Sequence, residues 1–342
     1  MAIFKSIGAD MGYSFVKLVS GIKENGKVIF PSTYYKTFPE EEFISNNFMP
    51  VVNSLIDNLV VDYKGNRYYI GEIAKKEDRG GNKDFSEEKF KKEHDIVKLL
   101  AGICLLSDDT HIVVNNLTMG LNMAAYNTYK DELVEFYRDK VFHFKLQKKD
   151  YTVELQNVLC VPQGIGAFWD QVMDEDGNVK SKDLLEGRYG IIDIGGRTTD
   201  AFIADESQPL RGTEKSFTSA MTDVFKEVAS ELKIDLPCNI LEKAFIKGKD
   251  NVFWINKTYK FSDKLDSTFE RLAERIFTEL RYAWDKKLDR AKFIILCGGG
   301  ACALGNYLAE YFEKKTIIVD DPQFSNARGY YKIGINNLEK SD

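Results

Sequence analysis

The chain has 342 residues, of which 44% are hydrophobic and 29% charged, and a formal net charge of −6 at pH 7. This length is comfortable for two domains, and the composition is ordinary for a soluble globular protein. The negative charge argues against an electrostatic grip on DNA or anionic lipid, so we expect no direct binding of nucleic acid and no membrane contact. The N-terminus lacks the apolar region of a signal peptide, and the longest apolar stretch, 99–106, is too short to span a bilayer, which predicts a cytoplasmic protein.

Cysteine and histidine usage excludes several kinds of site. The five cysteines are odd in number and form no Cys-x-x-Cys pair, so we expect small core residues of a reducing compartment. The three histidines are scattered without ligand spacing. Neither a zinc site nor a histidine-based catalytic triad is expected.

The first half of the chain opens with a predicted strand at 3–9 that ends on Asp10, a turn through Gly12, and a returning strand at 15–19. The Asn-Gly pair at 25–26 favours a hairpin into a third strand at 28–30. Spacing of apolar residues and turn residues then predicts the following elements: a weak helix at 48–56, a hairpin at 60–70, a Gly-rich loop at 80–84, a helix at 87–106, a strand at 112–114, a helix at 130–140 and a hairpin at 141–155.

The second half begins where 159–169 passes from strand to helix, followed by a polar linker at 174–182. Residues 189–203 are a strand, a turn and a returning strand. The remaining patterns predict helices and strands in this order: a helix at 216–232 capped by Ser216 or Thr218, a helix at 240–247, an antiparallel pair at 252–261, a helix at 263–288, a strand at 292–296, a helix at 304–312, a strand at 316–319 and a helix at 329–338.

The turn within 189–203 has the residue types of an anion site. Asp193 ends a buried strand, and Gly195, Gly196 and Thr198 follow it. Glycines let backbone N–H groups approach an anion, and a threonine hydroxyl can donate as well. A carboxylate beside a phosphate needs a cation between them, which suggests Mg²⁺ held through water. An ordinary hairpin turn remains the alternative for this stretch alone.

Three such turns follow apolar strands, at 10–17, 193–200 and 298–300, and Gln163 lies where a fourth strand becomes a helix. Together they suit a nucleoside triphosphate: two turns to hold phosphates, Lys17 to neutralise charge, carboxylates for hydrated Mg²⁺ and an amide to orient water. The sequence contains neither a Walker-type phosphate loop nor a Gly-x-Gly-x-x-Gly motif that opens a helix.

At these four motifs the sequence resembles the actin, sugar-kinase and heat-shock-chaperone ATPase superfamily. The first phosphate motif resembles residues 7–17, the second 192–200, the adenosine motif 294–301 and the connecting segment 161–167. Within the superfamily the chain is most similar to the ParM-type bacterial actins of plasmid segregation, at 10–17, 69–74 and 325–330. It departs from the plasmid ParM subgroup at Gln163, where that subgroup is expected to have Glu, which leaves the subgroup open.

The resemblance implies an α/β actin-like (ribonuclease H-like) fold, with two related α/β domains flanking a nucleotide cleft. Domain I is expected at 1–160 with the C-terminal 320–342 packing back on it, and domain II at 161–319.

The resemblance also implies roles for individual residues. Asp10 and Asp193 would hold Mg²⁺ through water, and Gln163 would orient the hydrolytic water. Lys226 and Glu227 could face the ribose or base, although such a pair on a helix is more often solvated surface. The phosphates and nucleoside of ATP, or GTP, would contact these residues: Gly12, Tyr13, Ser14 and Lys17 on one side; Gly195, Gly196, Arg197 and Thr198 on the other; and Gly298, Gly299 and Gly300 along the nucleoside.

The implied function is a homopolymeric filament of an ATPase that moves plasmid DNA through a DNA-binding adaptor of the ParR type. One alternative is a sugar or acyl-phosphate kinase of the same fold. A kinase should have an Asp general base aimed at a substrate hydroxyl, and Gln163 at the expected water position favours the filament. The other alternative is a non-dynamic, nucleotide-gated scaffold.

Overall fold

The structure is a computed structural model in which residues 1–21, 24–38, 55–76, 82, 84, 86, 88–312 and 315–339 are described. The weak helical pattern at 48–56 and the Gly-rich loop at 80–84 lie largely outside these residues. The chain divides into two compact units: unit 1 is residues 1–180 with 326–342, and unit 2 is residues 181–325. The division expected from the sequence, 1–160 with 320–342 against 161–319, stays a prediction. Across the described ranges, no helix is both long and apolar enough to cross a membrane.

Strands make up the sheets of both units. They are β1 (Ala2–Met11), β2 (Phe15–Val19), β3 (Lys27–Pro31), β4 (Tyr34–Thr37), β5 (Leu59–Tyr63), β6 (Asn66–Ile70), β7 (His111–Leu121), β8 (Lys140–Leu146), β9 (Lys149–Pro162), β10 (Arg188–Ile194), β11 (Thr199–Asp205), β12 (Gln208–Pro209), β13 (Lys215–Phe217), β14 (Asn251–Trp254), β15 (Lys257–Lys260), β16 (Phe293–Cys297) and β17 (Lys315–Ile318).

Helices connect and cover these strands. They are α1 (Glu72–Lys76), α2 (Glu93–Cys104), α3 (Met123–Tyr137), α4 (Ile165–Val172), α5 (Lys182–Leu185), α6 (Met221–Glu231), α7 (Cys238–Ile246), α8 (Ser262–Trp284), α9 (Lys286–Asp289), α10 (Ala301–Tyr311) and α11 (Ser325–Glu339). Short 3₁₀ turns lie at Glu24–Gly26, Leu55–Asp57, Lys89–Lys91 and Pro322–Phe324.

The sheet of unit 1 has the strand order β3-β2-β1-β7-β9-β8-β5-β6-β4. Strands β1, β2 and β3 form an antiparallel meander, whereas β7 is parallel to β1 and β9 is parallel to β7. The register of the first hairpin sets Asp10 directly opposite Lys17. Residues opposite each other on antiparallel strands lie close together, so the fold itself brings these two predicted residues into contact.

The main sheet of unit 2 repeats this topology with the order β12-β11-β10-β16-β17. Strands β10 and β11 are an antiparallel hairpin, β16 is parallel to β10, and β17 is parallel to β16. Two antiparallel connections followed by two parallel ones are therefore common to both units. The repeated strand topology agrees with the two related α/β domains that the family resemblance implied.

Each unit has its own hydrophobic core. In unit 1, α2 is buried along almost its whole length, and Leu99, Leu100 and Ile103 pack with residues of β1 and β7. In unit 2, the apolar face of α8 packs onto the core formed by β10, β16 and α10. Trp284 at the end of α8 is fully buried, and its Nε1 donates to the Thr213 carbonyl at 2.9 Å. The apolar residues that recur at helical spacing in 263–288 therefore lie on the side of α8 that faces the core.

Several sequence expectations need correction. The helix expected at 130–140 is α3, which begins at Met123 and ends at Tyr137, and Lys140 already belongs to β8. The helix expected at 329–338 begins at Ser325. The helix expected at 216–232 begins at Met221, and its N-cap is Ala220 rather than Ser216 or Thr218, because 215–217 pairs with β11 as β13. The helix expected at 263–288 breaks at Asp285, whose φ of 41° and ψ of −131° cannot continue a helix. Of the cysteines, which are all free thiols, Cys302 is exposed rather than a core residue.

Candidate functional site

The first predicted phosphate turn is built around an ion pair in unit 1. Asp10 lies at the end of β1 and is 4% exposed. Lys17 on the neighbouring strand places its Nζ 2.7 Å from Asp10 Oδ2. Both groups therefore lie near the end of the sheet at which the turn at 12–14 joins β1 to β2.

Gly12 is required by the tightness of this turn. A Cβ at Gly12 would lie only 2.8 Å from the Phe15 carbonyl oxygen and 3.9 Å from Lys17 Nζ. A larger residue would push the turn off the Asp10–Lys17 pair. The described geometry thus brings Asp10, Gly12 and Lys17 together, with Tyr13 and Ser14 in the same turn.

A second lysine, which the sequence analysis missed, lies at this turn. Lys89 is in the 3₁₀ turn Lys89–Lys91, and its Nζ donates to the Met11 carbonyl at 2.6 Å. The same ammonium group lies 4.5 Å from the centroid of the Tyr13 ring. Burial lowers the pKa of Lys89, since desolvation penalises the charged form. No local sequence signal points to Lys89, which lies in a run of charged residues 78 positions after Met11.

Gln163 follows β9 in unit 1, and its N–H donates to the Leu121 carbonyl at 2.6 Å. Gly164 then adopts a φ of 88°, which begins α4 and which a residue with a side chain would adopt only with strain. The first turn of α4 is capped from α11, because Asn326 Oδ1 accepts from the Ala167 N–H at 3.2 Å. The strand-to-helix turn at Gln163 is therefore held from two sides.

A buried charge network anchors α4 to α11 below this turn. Arg328 donates to the Asp170 carboxylate from Nε and from Nη2, the latter at 2.6 Å, and Lys332 Nζ donates to it at 2.8 Å. All three residues are at most 6% exposed. Burial lowers the pKa of Lys332, although the adjacent carboxylate opposes this. The network fixes α4, the helix that follows the Gln163 turn, against α11, and it was not predicted from the sequence.

In unit 2, Asp193 and the Gly298–Gly300 segment form one structural element. Asp193 is the partner of Cys297 in the parallel pairing of β10 with β16, and it is 5% exposed. Gly298, which follows β16, has a φ of 80°. A Cβ there would overlap Asp193 Oδ1 and lie 2.5 Å from the Ile194 carbonyl oxygen. Only glycine lets this backbone pass directly beside the carboxylate.

The turn at Gly195–Thr198 is closed by a hydrogen bond from the Gly195 N–H to the Thr198 carbonyl at 2.9 Å. Its carbonyl groups face the first turn of α6: the Met221 N–H donates to Gly195 O at 3.3 Å and the Thr222 N–H to Gly196 O at 2.8 Å. The carbonyl and the N–H of a trans peptide point in opposite directions. The N–H groups of Gly196 and Arg197 therefore point away from α6.

Asp200 lies on β11 opposite Asp193 in the antiparallel register. Its Oδ2 accepts from Thr198 Oγ1 at 3.1 Å. Burial raises the pKa of Asp200, while this hydroxyl works against the shift. Asp193 and Asp200 thus come from paired positions, and the second of them favours the protonated form more than an ordinary aspartate does.

Lys226 and Glu227 lie on α6. Lys226 is exposed, and its Nζ is 3.4 Å from Asp223 Oδ1. Glu227 Oε1 accepts from Arg271 Nε on α8 at 2.7 Å. These are surface ion pairs, and contact of either residue with a nucleoside stays a prediction.

The donor chemistry fits a magnesium ion held by few protein ligands. Across the described ranges, no cluster of three or more histidine, cysteine or acidic residues is arranged to hold a metal ion. Mg²⁺ commonly keeps several waters and takes one or two carboxylates together with substrate phosphates. Asp10 and Asp193 are each a single, nearly buried carboxylate beside a glycine turn, which is compatible with that mode. Their role stays a prediction.

Two family descriptions match consecutive parts of the chain. Residues 8–166 match "Actin like proteins N terminal domain". Residues 191–310 match "Archaeal actin homologue MreB-like, C-terminal". The two matches overlap every motif on which the sequence resemblance was based except the C-terminal segment at 325–330.

Individual relatives cover nearly the whole chain at low identity. An archaeal actin homolog of Thermoplasma volcanium is 24% identical over 95% of this chain and 97% of its own. The crystal structure of an archaeal actin homolog in complex with ADP has a TM-score of 0.76 at 19% identity over 100% of both chains. A 15-stranded ParM filament from Clostridium botulinum has a TM-score of 0.72 at 21% identity, covering 98% of this chain and 99% of the other.

Proposed function

Because the chain belongs to the actin-like superfamily, we propose that it is a filament-forming protein that binds and hydrolyses ATP with Mg²⁺. The observation that carries this proposal is the joint construction of Asp193 and Gly298 in unit 2. A nearly buried carboxylate at a strand end lies against a left-handed glycine, beside a turn whose N–H groups point away from α6. Carboxylate, glycine backbone and oriented N–H groups are the parts that a phosphate with a hydrated cation requires.

Within this proposal the N–H groups of Gly196 and Arg197 donate to phosphate oxygens. The Thr198 hydroxyl, which donates to Asp200 in the structure, turns to the phosphate as a further donor. In unit 1, Lys17 exchanges its ion pair with Asp10 for phosphate oxygens. Mg²⁺, when bound, neutralises charge that develops on the phosphates. Asp10 and Asp193 would hold the ion through its waters, and Gln163 would orient the attacking water through its amide.

Self-assembly is supported by one of the structural neighbours, which was solved as a ParM filament. We propose that this chain likewise forms a homopolymer whose stability depends on the bound nucleotide. Its formal net charge of −6 disfavours a direct grip on DNA. Cargo such as plasmid DNA would therefore be attached through a DNA-binding adaptor of the ParR type.

The test is sedimentation and electron microscopy of the purified protein with and without ATP and Mg²⁺, together with phosphate release. We expect pelletable filaments only with nucleotide, and slow hydrolysis. Asp193→Ala should abolish hydrolysis that depends on Mg²⁺, whereas Gln163→Ala should slow hydrolysis and leave over-stable filaments. Normal turnover by Gln163→Ala would overturn its role.

The alternatives give different results in the same assays. Absence of filaments with rapid phosphorylation of a sugar or an acyl acceptor would replace the proposal by a kinase. Assembly that ignores nucleotide would replace it by a static scaffold.

A further inference from the structure

Lys89 is fixed against the first phosphate turn from outside the predicted motif. Its 3₁₀ turn is anchored by Phe90, which is 3% exposed and whose carbonyl accepts from the buried Tyr137 hydroxyl at 2.7 Å. From this anchored position Lys89 Nζ reaches the Met11 carbonyl at 2.6 Å and lies above the Tyr13 ring. Lys89 therefore contacts two consecutive parts of the turn while lying on a different segment of the chain.

The contact with Met11 O determines where the next N–H group points. The Met11 carbonyl and the Gly12 N–H belong to one planar trans peptide, so they point in opposite directions. An ammonium that binds the carbonyl fixes the plane and draws electron density toward the oxygen, which makes the N–H a stronger donor. The Gly12 N–H is thereby aimed away from Lys89.

The positive charge of Lys89 lies at the turn, where it would attract a bound anion. The ammonium donates to a carbonyl, a neutral acceptor, and burial disfavours its charge. Asp10, Asp84 and Asp95 lower that cost, whereas Lys98 raises it. Lys98 forms its own ion pair with Asp95, and Lys17 forms one with Asp10. An arriving phosphate would add negative charge that favours the Lys89 ammonium.

We propose that Lys89 is a positioning residue for phosphate binding in unit 1: it holds the Met11 carbonyl so that the Gly12 N–H donates to a nucleotide phosphate. This inference rests on the proposed nucleotide binding and adds a residue that the sequence motifs do not contain. Lys89 acts through the Gly12 peptide and is not placed in contact with the reacting atoms.

The test compares Lys89→Met with a control variant, Lys91→Met. Lys91 is the other lysine of the same 3₁₀ turn, and it is paired with Glu132 on α3. Both variants change the net charge equally, so long-range electrostatics are matched. Titration calorimetry with ATP and Mg²⁺ measures affinity, and phosphate release gives kcat and KM. We expect Lys89→Met to weaken ATP binding roughly tenfold or more, the scale of a charge-assisted hydrogen bond. The ATP affinity of Lys91→Met should stay within about twofold of that of the wild-type protein, because exposed ion pairs contribute little.

Rescue separates positioning from packing. Lys89→Arg retains charge and donors, so it should restore ATP affinity to within about threefold, with kcat unchanged in both Lys89 variants once ATP is saturating. If Lys89→Met does not fold, Lys89→Gln is measured in its place with the same expected loss, since Gln is one atom shorter than Lys and uncharged.

Three results would overturn the inference: wild-type affinity in Lys89→Met or Lys89→Gln, an equal loss in Lys91→Met, or no rescue by Lys89→Arg. Failure of the wild-type protein to bind ATP at all is a different outcome, because it refutes the proposed function itself.

Discussion

Replacement of Gly298 by alanine tests the central element of unit 2. Gly298 has a φ of 80°, and a Cβ there would overlap Asp193 Oδ1 and approach Ile194 O to 2.5 Å. Gly248 provides a matched control in the same unit, because its φ of 66° is also left-handed but nothing lies within 4 Å of the added Cβ. The difference between the two variants therefore isolates the collision with the Asp193 element from backbone strain.

The expected magnitudes follow from these two contributions. A left-handed conformation costs an alanine about 1–2 kcal/mol, which applies to both variants. Forcing atoms into a packed site costs a further 1–3 kcal/mol or so, which applies only at Gly298. At about 3 °C per kcal/mol for a unit of this size, Gly298→Ala should unfold roughly 3–10 °C below Gly248→Ala.

Thermal unfolding followed by circular dichroism measures the stability difference, and calorimetry with ATP measures binding. Displacement of the Asp193 carboxylate should also make Gly298→Ala lose ATP affinity, while Gly248→Ala keeps it. If the two variants unfold at the same temperature, the backbone does not pass as close to Asp193 as described. If Gly298→Ala is less stable but binds ATP normally, this element is structural only.

Three further predictions concern charge and strain. Asp170→Asn leaves Arg328 and Lys332 buried without their carboxylate, so chemical denaturation should show a loss of about 3–5 kcal/mol; a loss below about 1 kcal/mol would contradict the network, since exposed pairs contribute that little. Because burial raises the pKa of Asp200 above its ordinary 3.8, stability from its protonated form is complete below pH 3.8 and is lost as the pH rises through the raised pKa. Asp200→Asn should therefore be more stable than wild type at pH 7 and no more stable below pH 3.8, and denaturant midpoints at both pH values check this. Asp285→Gly relieves the strain of a φ of 41°, so the free energy of unfolding should rise by about 1 kcal/mol and the melting temperature should rise with it. A lower melting temperature would show that the aspartate side chain stabilises the protein by more than its backbone strain costs.

The actin-like α/β fold predicted from the sequence is confirmed. It could be predicted because two of its hairpins have clear local sequence patterns. The apolar runs at 3–9 and 189–192 each end at an aspartate that a glycine turn follows, and both form the hairpins expected of them. Strong alternation and turn chemistry are local properties, so they can be read from neighbouring residues. The same applies to α8, whose apolar positions recur at helical spacing.

What the sequence could not supply depends on residues far apart in the chain. The start of α6 was misplaced because 215–217 pairs with β11, and tertiary pairing overrides local helical preference. Asp170 and Arg328 are separated by 158 positions, and Lys89 by 78 from Met11. Each of these residues is an ordinary charged residue in its local sequence. The motifs thus located the turns, while the groups that orient those turns became visible only in the folded units.

The two turns are oriented by the same physical means. In unit 1 a lysine ammonium binds the Met11 carbonyl, and in unit 2 the first N–H groups of α6 bind the Gly195 and Gly196 carbonyls. A helix N-terminus carries about half a positive charge, so each turn has a positive group behind its carbonyls. Each turn therefore presents its N–H groups on the opposite side, already oriented and polarised for an anion. Because glycine motifs alone also occur in ordinary hairpins, we expect this positive charge behind the carbonyls to decide whether the two turns bind phosphate. Removing it should weaken phosphate binding even when every glycine is kept.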